Sequence, residues 1–294
     1  GRNPYARWEV GCSMSKRNPD YDFKWCPGCG DFGVKRALEG ALVDRSAARS
    51  ESVENSVIVA GIGCSGNLVH LQEGPQPFGI HGIHGRALGI AYGLKSNRSD
   101  LNVVVVSGDG DFLSIGGEHI GPQAKRNLDI TAVVMDNGVY GLTKGQASPT
   151  TELEVVTSTT PYGKLDDPSH PLETYLAAGV SFIASTLSTQ VKALQTIIGQ
   201  AMDYPGFSIV HVQSPCTTYN DTYALLKGNE AEGIEPLAFP IPDNHDAGDL
   251  DAAYALARGG RIPVGILYQR EQSIPSHERL RLARERTGAT QKSV

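Results

Sequence analysis

The chain has 294 residues, 40% of them hydrophobic and 20% charged, which is enough apolar material for one large core and rather more than a usual single domain. Net charge is −6 and the sequence pI is about 5.8, a balance that offers nucleic acid no broad basic footprint. Apolar runs stay short of the ~18 residues a membrane helix needs, and five cysteines, one of them odd, do not make the disulfide framework of a small secreted protein.

In chain order, residues 1–20 are polar and lack the apolar stretch of a secretory signal. They are expected to form a tail with a free thiol at Cys12, in a cytoplasmic protein whose thiols stay reduced. Periodicity then predicts a helix at 34–43, a buried strand at 56–60, a helix at 85–94 and a strand at 101–107. A helix at 116–126 and a strand at 130–135 follow, then a helix at 171–178, a strand at 180–185, a helix at 191–202 and a strand at 207–212. Near-continuous Val/Ile strands alternating with helices predict an α/β fold whose mostly parallel sheet is covered by helices on both faces. Residues 143–171, rich in Thr, Ser, Pro, Gly and Asp, predict a long loop of the kind that lines a site or an interface. Residues 213–250 read as loop too. The amphipathic, locally basic stretch 274–292 predicts a solvated surface helix, with a docking arm as the alternative.

Two groups of residues carry chemistry. The apolar run at 103–106 enters Gly108, Asp109, Gly110 and Asp111, and after a helix and a second apolar strand comes Asn137. Ligands of parallel sheets bind beyond the carboxyl ends of the strands, where Asp109 and Asn137 would meet. Mg²⁺ takes oxygen ligands, only a few of them from protein; the Asp109 carboxylate, the Asn137 amide and a carbonyl at Val139 fit. Glycines on both sides of Asp109 let the backbone approach a diphosphate. Gly-Asp-Gly alone would be a tight turn; set between strand, helix, strand and Asn137 it resembles thiamine diphosphate enzymes.

The second group is cysteine. Cys26 and Cys29 form a Cys-x-x-Cys pair, while Cys64 and Cys216 stand singly, and most of these positions lie in Gly/Pro-rich turns. Such turns keep thiolates accessible and aim backbone N–H groups at sulfur, as iron–sulfur clusters require. Tetrahedral zinc fits the spacing equally well, and a redox pair remains open.

Together the two groups resemble the β subunit of the 2-oxoacid:ferredoxin oxidoreductases. The resemblance rests on segments 25–30 (Trp-Cys-Pro-Gly-Cys-Gly), 61–65 (Gly-Ile-Gly-Cys-Ser), 81–86 (His-Gly-Ile-His-Gly-Arg), 107–111 (Ser-Gly-Asp-Gly-Asp) and 136–146, with Ser-Pro-Thr-Thr at 148–151. They follow the family's order over roughly residues 20–220. The resemblance implies the diphosphate half of a thiamine diphosphate-binding fold at 21–225, which also supplies iron–sulfur ligands, and a C-terminal extension at 226–294 that touches a neighbouring chain. It implies oxidative decarboxylation of a 2-oxo acid, reversible in principle, with coenzyme A as co-substrate. Electrons would pass from the thiamine-bound enamine through one [4Fe–4S] cluster to ferredoxin. Of the substrates, 2-oxoglutarate is favoured.

By motif, Asp109, Asn137 and Val139 would hold Mg²⁺, and Cys26, Cys29, Cys64 and Cys216 the cluster. Gly110, Asp111, Gly141 and Leu142 would line the diphosphate, and Gly108 and Tyr140 would bind the cofactor as well. Ile62, Gly63, Cys64, Ser65, His81 and His84 would make further cofactor contacts. Asn67 and Lys144 are the candidate catalytic side chains, and Arg86 reads as structural or packed against phosphate. The pyrimidine-binding domain with its glutamate would come from an α subunit, giving an obligate pair expected to dimerise. Two other readings stay in view: a non-oxidative thiamine diphosphate decarboxylase or carboligase subunit with zinc at the cysteines, and a non-catalytic iron–sulfur electron-transfer subunit.

Overall fold

The computed structural model describes residues 23–288, so the tail at 1–20, Cys12 and the end of the basic C-terminal stretch lie outside the described residues. In chain order the elements are α1 (Asp31–Arg49), β1 (Ser56–Ala60), α2 (Leu68–Leu71), β2 (Phe78–His81), α3 (Ala87–Asn97), β3 (Asn102–Gly108), α4 (Ile120–Arg126) and β4 (Ile130–Asp136). A short hairpin of β5 (Val139–Tyr140) and β6 (Gln146–Ala147) follows, then α5 (Pro171–Ala178), β7 (Phe182–Leu187), α6 (Val191–Asp203) and β8 (Ser208–Gln213). The chain closes with α7 (Tyr223–Lys227), β9 (Ala238–Pro240), α8 (Leu250–Ala257), β10 (Ile262–Gln269) and α9 (Ser276–Thr287).

Eight strands form one sheet in the order β2-β1-β3-β4-β8-β7-β10-β9. From β2 to β7 every pairing is parallel, while β10 runs antiparallel to β7. The fold is thus the α/β class with a mostly parallel sheet that the sequence predicts. Strand periodicity of two feeds two cores. Ile58, Val104, Val106, Val133 and Met135 pack with α1 and α6 on one face. Val57, Val59, Val105, Ala132 and Val134 pack with α3, α4, α5 and α8 on the other. In α1 the buried residues Val34, Ala37, Leu38, Ala41 and Leu42 fall at helical spacing on one stripe. Leu194, Ile197, Ile198, Ala201 and Met202 repeat the pattern in α6. Each of the Val, Leu, Ile and Met side chains among them taken fully from water contributes about 1.5–3 kcal/mol, so both helices are fixed by packing.

The structure differs from expectation in three places. The helix expected at 116–126 starts only at Ile120, behind a π-helical turn at Gly110–Ile115 and a 3-10 turn at Gly117–His119; the adjacent Gly116 and Gly117 do not hold a helical turn together. The stretch 213–250 contains α7 and β9. The sheet also continues beyond residue 225, because β10 pairs with β7 and Ala253 of α8 and Leu267 of β10 sit in the second core. Helix α9 has no buried residue, and its Arg281 pairs with Glu278 at 2.5 Å and with Glu285. No helix among the described residues is long and apolar enough to cross a membrane.

Topology positions the site. The chain leaves β1 outward to β2 and then returns past β1 to β3, which opens a crevice at the carboxyl ends of β1 and β3. A second reversal places β8 between β4 and β7. The loops after β1, β2, β3, β4 and β8 therefore share one rim.

Candidate active site

Asp109 leaves the end of β3 almost wholly buried, at 1% exposure. Its Oδ1 accepts the Asn137 backbone N–H at 3.4 Å, and its Oδ2 lies 2.8 Å from the Thr150 hydroxyl. Thr150 also lies 2.7 Å from Asp136 Oδ1; with one proton to give, it serves one carboxylate at a time. Burial, and then the neighbouring Asp136, push Asp109 up to about 7. Burial would raise Asp136 as well, but the hydrogen bond and charge of His211, at 3.0 Å, hold it below the ordinary carboxylate range. His211 is in turn 3.1 Å from the Tyr175 hydroxyl. A buried acid whose charge the protein leaves uncompensated is a chemically sound place for a divalent cation.

The turn after β4 lies beside Asp109. Gly138, at a φ of 67°, takes a left-handed conformation that favours glycine. Asn137 Oδ1 accepts the Val139 N–H at 3.0 Å, and Asn220 Nδ2 donates to the Asn137 carbonyl at 2.9 Å. Hydrogen bonds thus link Asp109 to Asn137 and Asn137 to Val139 in one turn.

Asp111 has another role from that of a free ligand. Its Oδ1 accepts the N–H groups of Ile62 and Gly85, at 3.1 and 2.7 Å, and contacts His84 Nδ1; its Oδ2 accepts the Ser107 hydroxyl at 2.5 Å. One carboxylate thereby ties the loops after β1, β2 and β3 together. The fit is tight: a Cβ on Gly61 would stand 1.7 Å from Asp111 Oδ2. Gly61→Ala is therefore expected to lose about 1–3 kcal/mol, the usual size of overpacking, read as a lower urea midpoint; an unchanged midpoint would show that the loops yield freely. Across Gly110 lies the Tyr140 ring, where a Cβ would stand 2.3 Å away. His81 Nδ1 pairs with His70 Nε2 at 2.7 Å, and burial, then His81, push His70 down. Asn67 is buried and donates to the Gly63 carbonyl at 2.8 Å, bracing the Cys64 turn from within. Arg86 donates to the Ile115 carbonyl at 2.8 Å and to Glu118 at 2.6 Å, a structural clasp.

The cysteines converge on the same rim. A Cβ on Gly141 would stand 3.5 Å from Cys64 Sγ and 3.8 Å from Cys216 Sγ. Cys29 interacts electrostatically with Cys64 and Cys216, and Cys64 with Cys26. The loops are also stitched: Trp25 Nε1 donates to the Cys64 carbonyl at 2.8 Å, and the Gly30 N–H to the Pro215 carbonyl at 3.0 Å. Burial, then the Asp31 carboxylate and neighbouring thiols, push Cys64 up to about 12 and Cys29 higher still. Thiols in such surroundings become thiolates where a metal centre replaces their protons. Among the described residues, no three His, Cys, Asp or Glu side chains are set to grip a single metal ion.

Lys144 sits at the tip of the β5–β6 hairpin with a φ of 78°, on the wall of a cavity of about 1040 Å³ that also touches Asn137, Val139 and His211. Leu142 is exposed on the same hairpin. Sequence reasoning missed Thr150, Asn220, His211 and Asp31, four polar side chains that brace the turns; of these, Thr150 alone lies in one of the recognised motifs.

A family model described as "Thiamine pyrophosphate enzyme, C-terminal TPP binding domain" matches residues 61–212, and a model of the C-terminal part of the pyruvate ferredoxin oxidoreductase β chain matches residues 216–285. The chain is 36% identical to the 2-oxoacid:ferredoxin oxidoreductase subunit beta of a Sulfolobus species, over 86% of this chain and 84% of the relative. The chain belongs to the 2-oxoacid:ferredoxin oxidoreductase β-subunit family. Another member, the 2-oxoglutarate oxidoreductase subunit KorB of Mycobacterium tuberculosis, is 40% identical over 72% of this chain and 56% of its own length. Among solved structures, the 2-oxoglutarate:ferredoxin oxidoreductase from Magnetococcus marinus, with 2-oxoglutarate, coenzyme A and succinyl-CoA bound, matches this β-subunit family member with a TM-score of 0.83. Identity there is 38%, over 92% of this chain and 89% of that one.

Proposed function

We propose that the chain is the β subunit of an enzyme that oxidatively decarboxylates a 2-oxo acid, 2-oxoglutarate in first place, with coenzyme A to the acyl-CoA and CO₂. One [4Fe–4S] cluster would relay the electrons to ferredoxin, reversibly in principle. The observation that carries this reading is the meeting of two sites at one residue: Gly141 follows the metal-side turn of Asn137 and Val139 and lies against the sulfurs of Cys64 and Cys216.

In this reading Asp109, Asn137 and the Val139 carbonyl hold Mg²⁺, and the backbone of Gly108, Gly110, Asp111, Gly141 and Leu142 faces the diphosphate. Ile62, Gly63, Ser65, His81, His84 and Tyr140 flank the cofactor. Bound thiamine diphosphate supplies the electron sink of the reaction, while the protein binds and orients it. Cys26, Cys29, Cys64 and Cys216 would hold the cluster, which would supply the one-electron relay. The pyrimidine-binding half of the site falls to an α subunit, in a dimer of αβ pairs working in the cytoplasm. An apolar surface for such a partner exists on the free edge of the sheet, where Phe78 is 64% and Ile83 73% exposed.

The test is anaerobic activity of the co-expressed pair across a panel of 2-oxo acids with coenzyme A and ferredoxin, alongside iron, sulfide and zinc assays. Turnover by this chain alone would defeat the two-subunit reading. Zinc without iron would favour the non-oxidative alternative, and iron without thiamine diphosphate binding the electron-transfer one. Lys144 is assigned to the substrate carboxylate. Lys144→Gly, which the left-handed backbone there accepts, is expected to raise KM for the 2-oxo acid by on the order of tenfold at near-constant kcat. A hydrogen bond to a charged group contributes about 1.5–3 kcal/mol, so an unchanged KM would assign Lys144 to solvent.

A further inference from the structure

We propose that Asp31 is the positioning residue that gathers the three cysteine-bearing loops into one site and so lets the cluster assemble there, an inference that rests on the cluster reading above. Asp31 opens α1 two residues after Cys29 and is 0% exposed. Its Oδ1 accepts the Ser214 hydroxyl at 2.6 Å, and its Oδ2 accepts the Ser65 hydroxyl at 3.2 Å. Ser65 is the residue after Cys64, and Ser214 stands two before Cys216. A single side chain therefore bonds the loop of Cys64 and the loop of Cys216, and its own backbone carries the loop of Cys26 and Cys29. The chain segments it joins are far apart in sequence, so no local turn can do this work.

Two further observations point the same way. First, Gly30 lets this loop close on the third one: a Cβ there would stand 2.7 Å from the Ser214 carbonyl carbon and 2.8 Å from its Cα, contacts that real Cβ atoms do not make. Second, Asp31 has no cationic partner among the described residues, its bonded neighbours being the two hydroxyls. An unpaired carboxylate in a dry interior is destabilising by several kcal/mol, and a framework that needed only packing would place an apolar residue there. A carboxylate accepts through both oxygens at once, which an amide or a methyl group cannot do.

The experiment uses the co-expressed complex, purified anaerobically, with Asp31→Asn and Asp31→Ala beside the unchanged protein. Iron and sulfide per chain and Mg²⁺-dependent thiamine diphosphate binding are measured. Asp31→Ala is expected to lose at least half of its iron and sulfide while keeping thiamine diphosphate binding within about threefold. Asp31→Asn, which keeps shape and one acceptor, is expected to lose a smaller but measurable share of its iron at retained thiamine diphosphate binding. Full loading of both variants overturns the proposal, as does a parallel loss of iron and thiamine diphosphate binding, the mark of a general folding role. Where Asp31→Ala fails to fold, Asp31→Asn decides alone. An unchanged complex without iron would overturn the cluster reading itself, a result distinguishable from a loaded cluster indifferent to Asp31.

Discussion

Asp109→Ala is expected to abolish Mg²⁺-dependent thiamine diphosphate binding and 2-oxo acid oxidation while leaving the iron content of the complex unchanged. The carboxylate is buried beside a second acid, Asp136, that His211 keeps ionised. In the reading proposed above, a bound Mg²⁺ would take the Asp109 carboxylate as one of its oxygen ligands. Removing one partner of a buried charge pair costs about 3–5 kcal/mol. At ~1.4 kcal/mol per decade, metal and diphosphate affinity should fall by on the order of 10²–10³-fold. The cysteine loops are braced through Asp31, Trp25 and Gly30, none of which touches Asp109, so the cluster should assemble as before. Titration of the variant with thiamine diphosphate and Mg²⁺, beside a colorimetric iron assay, checks both halves. Binding retained within about threefold would remove Asp109 from the metal site.

The second large effect is expected at Cys64. Cys64→Ser should lower iron from on the order of four atoms per chain to below one, bleach the visible absorption of the cluster and stop ferredoxin reduction. Thiamine diphosphate binding should survive, because the tie that fixes the turn is made by backbone: Trp25 Nε1 donates to the Cys64 carbonyl, and a serine leaves that carbonyl in place. Visible spectra and iron assays of the anaerobically purified complex read the outcome. A fully loaded Cys64→Ser complex would take Cys64 out of the ligand set, and with it the proximity of cluster and cofactor.

What the sequence disclosed follows from which forces act locally. Strands β3 and β4 were legible because a strand wet on neither face must be apolar at every position. The turn at Asp109 and the pair Cys26 and Cys29 were legible because their residues lie within a few positions of one another. Asp31 and His211 were not. Asp31 acquires its meaning from Ser214, 183 positions away, and His211 from Asp136, 75 positions away; nothing near either residue announces a partner. Strand β10 was hidden for another reason. Pro263 and Gly265 give it the look of loop, and as a mostly half-buried strand at the antiparallel end of the sheet it lacks the unbroken apolar run of its neighbours. Helix α8 did leave a signal that went unread. Asp249 caps it by accepting the N–H groups of Asp251 and Ala252, at 2.8 and 3.2 Å, the ordinary use of an acid at a helix start.

The hairpin that begins at Val139 has a kinetic implication. Only Tyr140 separates Val139 from Gly141, and two residues of extended chain reach no more than about 7 Å. A tether that short has no slack to take up, and its closure is fixed by the pairing of Val139 with Ala147 and of Tyr140 with Gln146. If the turn holds the cofactor's metal and Gly141 borders the cluster, as proposed above, the spacing between the two is set by the chain itself, with no swinging arm to diffuse across it. Electron passage over such a gap should be indifferent to solvent viscosity, and should persist in a frozen glass where carriers that must travel are halted.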